Sequence, residues 1–295
     1  MANVGGGGIS CEACDSRITD VVIANNSVTG IGGGMRMFNG SNPELLGVTV
    51  SNNTSTLNGG GIAYEGLPAS TIEQRLHRVT VSGNRSSEGV GGGIYLYSSI
   101  ATVTRSFIQD NAASLKGGGL SIEWASELTL ENSFVSGNAL TNGVQGSNVY
   151  IGKSDQLIGS NEKLIAMNSN LIDTVALSDE NLFSMYTNGL VKPLLINSIA
   201  IGRLDAAIPT SNFDLNYSYC NDCSNLLTFA ANTGNITGSA GFVDFDKGKF
   251  DLADNSLLLS AATESFTTVA NETYRAPEVD IRGTRVPRIS TSGAR

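Results

Sequence analysis

Histidine is almost absent from this sequence: His77 is the only one in 295 residues. Without a second histidine, and with no serine in a nucleophile motif, the sequence offers no Ser-His-Asp triad, and we interpret His77 as a solvated turn residue. Charged residues are also few, at 15%, and 27 acidic against 18 basic residues leave a net charge of −9. Because a surface of that sign repels phosphate backbones, we expect no nucleic-acid partner.

Long hydrophobic runs are missing as well. No stretch approaches the roughly 20 apolar residues that span a bilayer, so the sequence predicts no membrane span. Met1 is followed almost at once by a glycine run that belongs to a repeat, not by the apolar core of a signal peptide. We therefore expect the sequence to be a fragment whose export signal lies upstream.

Proline is scarce, with six residues, whereas glycine is abundant, with 35. Since 40% of the residues are apolar, this composition favours tight turns between short strands over disorder. The glycines recur as triplets, each followed by an apolar residue. The triplets end at Gly8, Gly34, Gly61, Gly93 and Gly119, in steps of 26, 27, 32 and 26 residues. A nearly fixed period of this length is typical of a solenoid.

Asparagine provides a second marker in phase with the glycines, three places after an apolar residue. Asparagine tolerates left-handed backbone and can bond to its own kind along a stack, so we expect these side chains to line one turn of successive coils. The marker residues are Asn26, Asn53, Asn84, Asn111, Asn138 and Asn168.

Apolar and polar residues alternate after each glycine triplet, which is typical of a strand with one buried face. Two columns should therefore form the core. The first is Ile9, Met35, Ile62, Ile94 and Leu120, and the second is Cys11, Met37, Tyr64, Leu96 and Ile122. A second strand, such as residues 18–23, precedes each asparagine. Strands that return in one direction imply right-handed crossovers, so the sequence predicts an all-β, right-handed parallel β-helix.

The period becomes less regular along the chain. We predict a β-helix over residues 1–240, with regular coils to about residue 170 and longer loops after it. Residues 241–295 have short strand-like runs and charged turns, and we predict a C-terminal capping tail there, because an open solenoid end exposes apolar surface. The alternative is a separate second domain in the less regular half.

Residues 117–122 (GGGLSI) and 128–139 (LTLENSFVSGNA) resemble the coil of bacterial β-helix repeat proteins that carry a choice-of-anchor Q domain. Residues 241–244, 248–252 and 279–285 are similar to the ending of that domain. Residues 256–262 (SLLLSAA) depart from its S-P-A-I-D-A-G segment. Chlamydial polymorphic outer-membrane proteins are a more distant resemblance. The resemblance implies a pectin-lyase-like solenoid that is secreted or on the bacterial cell surface, and it carries no catalytic residues.

The four cysteines form two C-x-x-C pairs, Cys11 with Cys14 and Cys220 with Cys223. More than 200 residues separate the pairs, which argues against a shared zinc site. No βαβ context suggests redox chemistry. Local disulfides or buried thiols are the favoured interpretation, with a metal site as the alternative, and export would favour disulfides. We predict neither a metal nor another cofactor.

One outward column of the predicted coils carries the candidate ligand-binding residues. Aromatic rings beside carboxylates suit an extended polysaccharide, which needs apolar ring faces and hydrogen-bond acceptors. The alternative is a solvated face whose charges prevent aggregation. The candidates are Glu12, Phe38, Glu65, Tyr97 and Glu123, with Arg36, Tyr95 and Tyr150 beside them.

The function that the sequence favours is non-enzymatic: an exported surface protein whose long face contacts glycans or a neighbouring cell. A carbohydrate-active enzyme, either a polysaccharide lyase or a glycoside hydrolase, is the alternative because those enzymes share this fold. Glu12 and Glu65, two coils apart, would be separated by about 9.6 Å, twice the strand spacing, which is near the carboxylate separation of inverting glycosidases.

Overall fold

The computed structural model describes residues 5–67, 71–152, 161–173, 182–188, 191–206, 213–216, 218–222 and 235, and four later strands. All regular structure in these residues is β. Successive strands pair with the strand one coil away in parallel, in line with the predicted solenoid. Each regular coil passes through four walls, which we number in the order that the chain visits them.

The first and second walls carry the longer strands. The first contains β1 (Ile9–Glu12), β5 (Met35–Phe38), β9 (Ile62–Glu65), β13 (Ile94–Tyr97), β17 (Leu120–Glu123), β21 (Gln145–Ile151) and β24 (Phe183–Thr187). The second contains β2 (Arg17–Thr19), β6 (Glu44–Leu46), β10 (Glu73–His77), β14 (Ile100–Thr104), β18 (Glu127–Glu131), β22 (Lys163–Met167), β25 (Leu194–Ile196) and β27 (Asp214–Asn216).

The third and fourth walls complete each coil. The third contains β3 (Val22–Ala24), β7 (Thr49–Ser51), β11 (Thr80–Ser82), β15 (Phe107–Gln109), β19 (Phe134–Ser136), β23 (Asn170–Ile172), β26 (Ile199–Ala206) and β28 (Tyr219–Asp222). The fourth contains β4 (Ser27–Val28), β8 (Thr54–Ser55), β12 (Arg85–Ser86), β16 (Ala112–Ala113) and β20 (Ala139–Leu140). Strand β26 pairs with β23 and also with β24, and so joins the third wall to the first.

The single strand predicted before each asparagine is wrong, because a corner divides it in two. In the first coil, Asp20 has a φ of 53° and separates β2 from β3. Left-handed backbone turns the chain sharply at this point in seven of the described coils, although only one of the seven residues is glycine. The corresponding positions are Gly47, Arg78, Arg105, Asn132, Asn168 and Asn197.

The two predicted core columns are confirmed. Ile62 and Leu120 are fully buried on either side of Ile94, to which both are paired in register. Ile9, in the first described coil, is only half-buried. The columns continue through Val149 and Ile151 in β21. Tyr64 is the one phenol in these columns, and burial raises the pKa of its hydroxyl.

The predicted asparagine ladder is also confirmed, in the corner between the third and fourth walls. Each side-chain amide donates to the amide oxygen one coil further on, as from Asn84 to Asn111 at 2.9 Å and from Asn111 to Asn138 at 3.0 Å. The prediction for Asn168 is wrong: it lies in the corner between the second and third walls. Asn148 takes the next place, accepting from Asn138 at 2.9 Å.

A serine ladder that the sequence analysis missed lines the corner between the second and third walls. Each hydroxyl accepts a backbone N–H from the preceding coil, as Ser133 does from Ser106 at 3.2 Å, and each donates to a carbonyl two residues before it. Serine is common in turns, and these serines are spaced irregularly, so the column was not apparent. Its members are Ser106, Ser133, Ser169, Ser198 and Ser218.

The glycine triplets form the corner between the fourth and first walls, where backbones of successive coils approach closely. A Cβ on Gly92 would overlap the carbonyl oxygens of Ala112 and Gly118. We expect Gly92→Ala to lower the free energy of unfolding by about 3 kcal/mol, because the paired backbone cannot move away.

The matched control is Gly40→Ala. Gly40 has a φ of 80°, but the nearest side-chain atom to an added Cβ is 3.7 Å away, so only backbone strain remains. That strain should cost about 1 kcal/mol. Urea unfolding of both variants measures the difference. Equal losses of stability would show that the close approach at Gly92 does not matter.

Two antiparallel pairs occur near the C-terminus: β29 (Phe242–Asp244) with β30 (Lys249–Leu252), and β31 (Ser265–Thr267) with β32 (Thr273–Arg275). They fall within residues 241–295, for which the sequence predicts a capping tail. Antiparallel pairing distinguishes these strands from the parallel walls. The division at residue 240 and the capping role stay predictions.

Candidate functional site

The outer side of the first wall carries the candidate residues, and we call it the first-wall face. Strand register places Glu12, Phe38, Glu65, Tyr97 and Glu123 in one column, one residue per coil. A second outward column runs beside it and contains Arg36, Ala63, Tyr95, Ser121 and Tyr150. The parallel ladder therefore brings all eight predicted residues to the outward-facing positions of one wall.

This surface is not uniformly solvated, which corrects the alternative interpretation for part of it. Glu12 is exposed, and Phe38, Glu65 and Tyr97 are half-buried. Glu123 is 1% exposed, and Tyr95 is 5% exposed. A charge-scattering face would leave such groups in water.

The burial arises from the segments that precede the glycine triplets. Ile31 and Val90 lie just before two of these triplets, and they pack against Ala63 and Tyr95 as a small apolar cluster outside the main core. Tyr97 packs against the edge of this cluster. Apolar side chains therefore line the part of the face beside the glycine corner.

An ion pair lies in the column near Phe38. The Arg36 Nε is 2.5 Å from the Glu65 Oε2, and the guanidinium carbon is 4.5 Å from the centroid of the Phe38 ring. Both charged side chains are largely shielded, with side-chain exposures of 15% for Arg36 and 22% for Glu65. The Arg36 guanidinium thus contacts both the Phe38 ring and the Glu65 carboxylate, whose charge balances its own.

Aromatic rings continue the face beyond the ion pair. Tyr97 lies 5.4 Å from Trp124 between ring centroids and 6.3 Å from Tyr95, with tilted planes in both cases. Trp124 follows β17 in the turn after Glu123, with a φ of 57°, and is half-buried. The sequence analysis missed Trp124. The sequence could have indicated this residue, because the only tryptophan directly follows an outward strand position.

Glu123 is paired in register with Tyr97, one coil further on in the first outward column, and it is buried. Its Oε1 accepts a hydrogen bond of 2.9 Å from the Ser121 hydroxyl. Burial raises the pKa of Tyr95, and the carboxylates of Glu123 and Glu65 raise it further, against the effect of a hydrogen bond with Asn58. The Tyr95 phenol therefore stays protonated and a hydrogen-bond donor over the whole physiological range.

Tyr150 follows Ser121 in the second outward column, one coil further on. Its hydroxyl is 3.2 Å from the Lys116 Nζ and accepts from the Asn188 amide at 2.9 Å. Burial raises the pKa of Tyr150, followed by the charge of Glu123. Its ring stacks on Tyr186 with 6.3 Å between centroids. Tyr150 is fully buried, so it supports the face and does not form its surface.

The interpretation of His77 as a turn residue is wrong. It ends strand β10 on the second wall, half-buried, with its Nδ1 2.7 Å from the Thr104 hydroxyl. Burial lowers its pKa, and Arg105 and Arg78 lower it further. The first-wall column thus does not include the single histidine.

The local disulfide between Cys11 and Cys14 is confirmed. Cys220 is disulfide-bonded as well, while Cys223 lies outside the described residues. In the part of the chain that the structure describes, no cluster of three potential metal-ligating side chains occurs. Nor do those residues form a helix of the length and hydropathy that a bilayer crossing requires.

Comparison with protein families identifies the family to which this architecture belongs. The family model described as the right-handed β-helix region matches residues 1–162, more than half of the chain. The chain therefore belongs to the right-handed β-helix family, which confirms the predicted fold class. Neither the comparison with curated proteins nor that with solved structures found a match.

Proposed function

We propose that this protein is exported and that the first-wall face binds an extended glycan without cleaving it, in an adhesion or surface-contact role. The observation that carries the proposal is the row of half-buried rings, Phe38, Tyr97 and Trp124, on a face whose position is set by the parallel ladder. Flat rings on a rigid support contact sugar rings at little entropic cost.

Export is supported by the cysteines. Cys11 and Cys14 are joined, and Cys220 is also disulfide-bonded. Disulfides of this kind persist in oxidising compartments such as the periplasm and the extracellular space. The resemblance to bacterial β-helix repeat proteins with a choice-of-anchor Q domain is compatible with either a secreted or a cell-surface location.

The hydrogen bonds and ion pair that already engage the carboxylates of this face favour binding without cleavage. Glycoside hydrolysis needs two carboxylates facing the scissile bond, one of which acts as an acid. Here Glu65 is engaged by Arg36, and Glu123 is buried and bonded by Ser121. Glu12, which is exposed, accepts from the Asn39 amide at 2.8 Å. The three groups act as fixed charges and acceptors.

The first test of this proposal is substitution of the rings. We expect Phe38→Ala and Tyr97→Ala each to weaken glycan binding about tenfold, the loss of one stacking contact of roughly 1.4 kcal/mol. A glycan array followed by titration calorimetry measures the change.

The control is Phe107→Ala. Phe107 is 39% exposed on the third wall, with its ring tilted against that of Phe134 at 6.3 Å between centroids, so it offers a similar ring on a different face. Its removal should leave binding unchanged. If Phe107→Ala weakens binding as much as Tyr97→Ala does, the first wall is the wrong face.

A second measurement separates binding from catalysis. We expect no product from any bound polysaccharide over prolonged incubation, by reducing-end assay and by absorbance of unsaturated products. Product that appears with the unmutated protein and disappears in Glu65→Gln would instead establish the carbohydrate-active alternative.

A further inference from the structure

The charges around the first-wall face suggest which glycans it accepts, an inference that rests on the proposed function. In the described part of this face, the cations Arg36 and Lys116 already contact protein partners. Arg36 pairs with Glu65 and lies over Phe38, whereas Lys116 lies against Tyr150, with its Nζ 4.6 Å from the ring centroid.

The carboxylates are more numerous than the cations. Glu12 is exposed at one end of the outward column, Glu65 lies in its middle, and Glu123 is buried one coil after Tyr97. The exposed Glu88, two residues before Val90, adds a further acidic group beside the glycine corner. Carboxylates therefore outnumber cations among the described residues of this face, in line with the net charge of −9 of the whole chain.

Negative charge repels uronates and sulfated sugars, but it does not repel neutral ones. Sugar hydroxyls are hydrogen-bond donors, and carboxylate oxygens are acceptors only, so a neutral glycan can donate to Glu12 or to Glu65. A polyuronate would bring its own carboxylates toward these groups without meeting an uncommitted cation on the described face.

The rings add a requirement for the shape of the sugar. Phe38 and Tyr97 occupy the same column two coils apart, a separation of about 9.6 Å at twice the strand spacing. Stacking needs a sugar face of C–H groups, which sugars with equatorial hydroxyls present. An extended β-1,4-linked chain repeats that face over a comparable length, every second sugar.

We infer that the first-wall face selects neutral β-1,4-linked glycans of the glucose or N-acetylglucosamine type and excludes polyuronates. A site that binds uronates is lined by cations, whereas this face presents mainly carboxylates. Phe38 and Tyr97 provide the platforms, Glu12 and Glu65 accept hydrogen bonds, and the Arg36–Glu65 pair keeps the arginine unavailable to an anionic sugar.

The test compares two probes that share one β-1,4-linked backbone and differ at C6, where a neutral hydroxymethyl group is replaced by a carboxylate. Cellohexaose and the same oligosaccharide oxidised to carboxylate at C6 are titrated into the protein at 20 and 200 mM NaCl. We expect cellohexaose to bind with an affinity that salt changes less than twofold. The oxidised probe should bind at least tenfold more weakly at 20 mM, and the difference should shrink at 200 mM because salt screens the repulsion.

A charge variant makes the test specific to this face. Glu12→Gln removes the exposed carboxylate and should raise affinity for the oxidised probe severalfold at low salt. The same substitution at Glu127, which is exposed on the second wall, should not raise it. Circular dichroism and thermal unfolding verify that each variant is folded.

The outcomes separate this inference from the proposed function. If the oxidised probe binds more tightly than cellohexaose, and Tyr97→Ala weakens that binding, the face binds glycans but the inferred charge selection is wrong. If neither probe, nor chitohexaose, binds to the protein, or if binding ignores Phe38→Ala and Tyr97→Ala, the proposed function fails and this inference fails with it.

Discussion

Ile94→Asp is expected to lower the free energy of unfolding by about 5 kcal/mol, near the upper end of single substitutions, because it buries an unpaired charge. Ile94 is 2% exposed and is paired in register with Ile62 on one side and Leu120 on the other. The described core offers its carboxylate no cation at this position, since both columns there are apolar apart from the Tyr64 hydroxyl.

The control for this prediction is Ile100→Asp. Ile100 begins β14 with its side chain half-buried on the outside of the second wall, so the same chemical change should cost about 1 kcal/mol there. Urea unfolding followed by circular dichroism measures both variants. Similar losses of stability would mean that the inward column does not lie in a dry core.

The damage from Ile94→Asp should also spread. Each coil of a solenoid is stabilised mainly by its neighbours, so local loss of packing weakens both adjoining interfaces. We expect hydrogen exchange to accelerate in β9 and β17, which flank β13, more than in β1 or β24. Acceleration confined to β13 would contradict nearest-neighbour coupling in this protein.

Asn111→Ala is expected to lower the free energy of unfolding by about 4 kcal/mol, through the loss of several buried hydrogen bonds at once. The Asn111 Oδ1 accepts from the backbone N–H of Asn84 at 3.0 Å and from the Asn84 amide at 2.9 Å. Its own amide donates to the Val81 carbonyl at 2.9 Å. Truncation leaves these groups without their side-chain partner in a corner that is closed to water.

The control for the ladder is Asn142→Ala. Asn142 is exposed and makes one side-chain hydrogen bond, of 2.8 Å, to Ser114. Removing an exposed contact of this kind should cost less than about 1 kcal/mol. Calorimetric melting of the two variants gives the comparison. A loss below about 1 kcal/mol for Asn111→Ala would show that water replaces the missing amide, and the ladder would not be a main source of stability.

The fold could be predicted from the repeat in the sequence. Glycine triplets at 26- to 32-residue steps, with asparagines in phase, predicted parallel coils, and the alternation after each triplet predicted which side chains are inside. These predictions depend only on local properties. Close backbone approach needs glycine, a stacked amide needs asparagine, and a half-buried strand needs a period of two.

The positions of the corners within each coil were harder to predict from the sequence. The sequence predicted one strand where Asp20, Arg78 or Arg105 separates two. The backbone N–H of each of these residues donates to a carbonyl one coil away, and that contact depends on the register of the coils. The Ser106–Ser218 column was missed for a related reason. A serine hydroxyl is buried or solvated according to what stacks above it, and only the register of the coils decides that.

The candidate site also has features that the sequence predicts and features that only the tertiary structure shows. Composition and period alone determined that Phe38, Glu65 and Tyr97 share one outward column. Tertiary structure decided which members remain accessible: Ile31 and Val90 cover Tyr95, and Arg36 engages Glu65. It also brought Trp124 and Lys116 to the face, from turn positions that recur from coil to coil but hold a different residue type in each. Strand register repeats along the chain and can be read from it, whereas the packing of loops on a strand depends on contacts between coils that no single repeat contains.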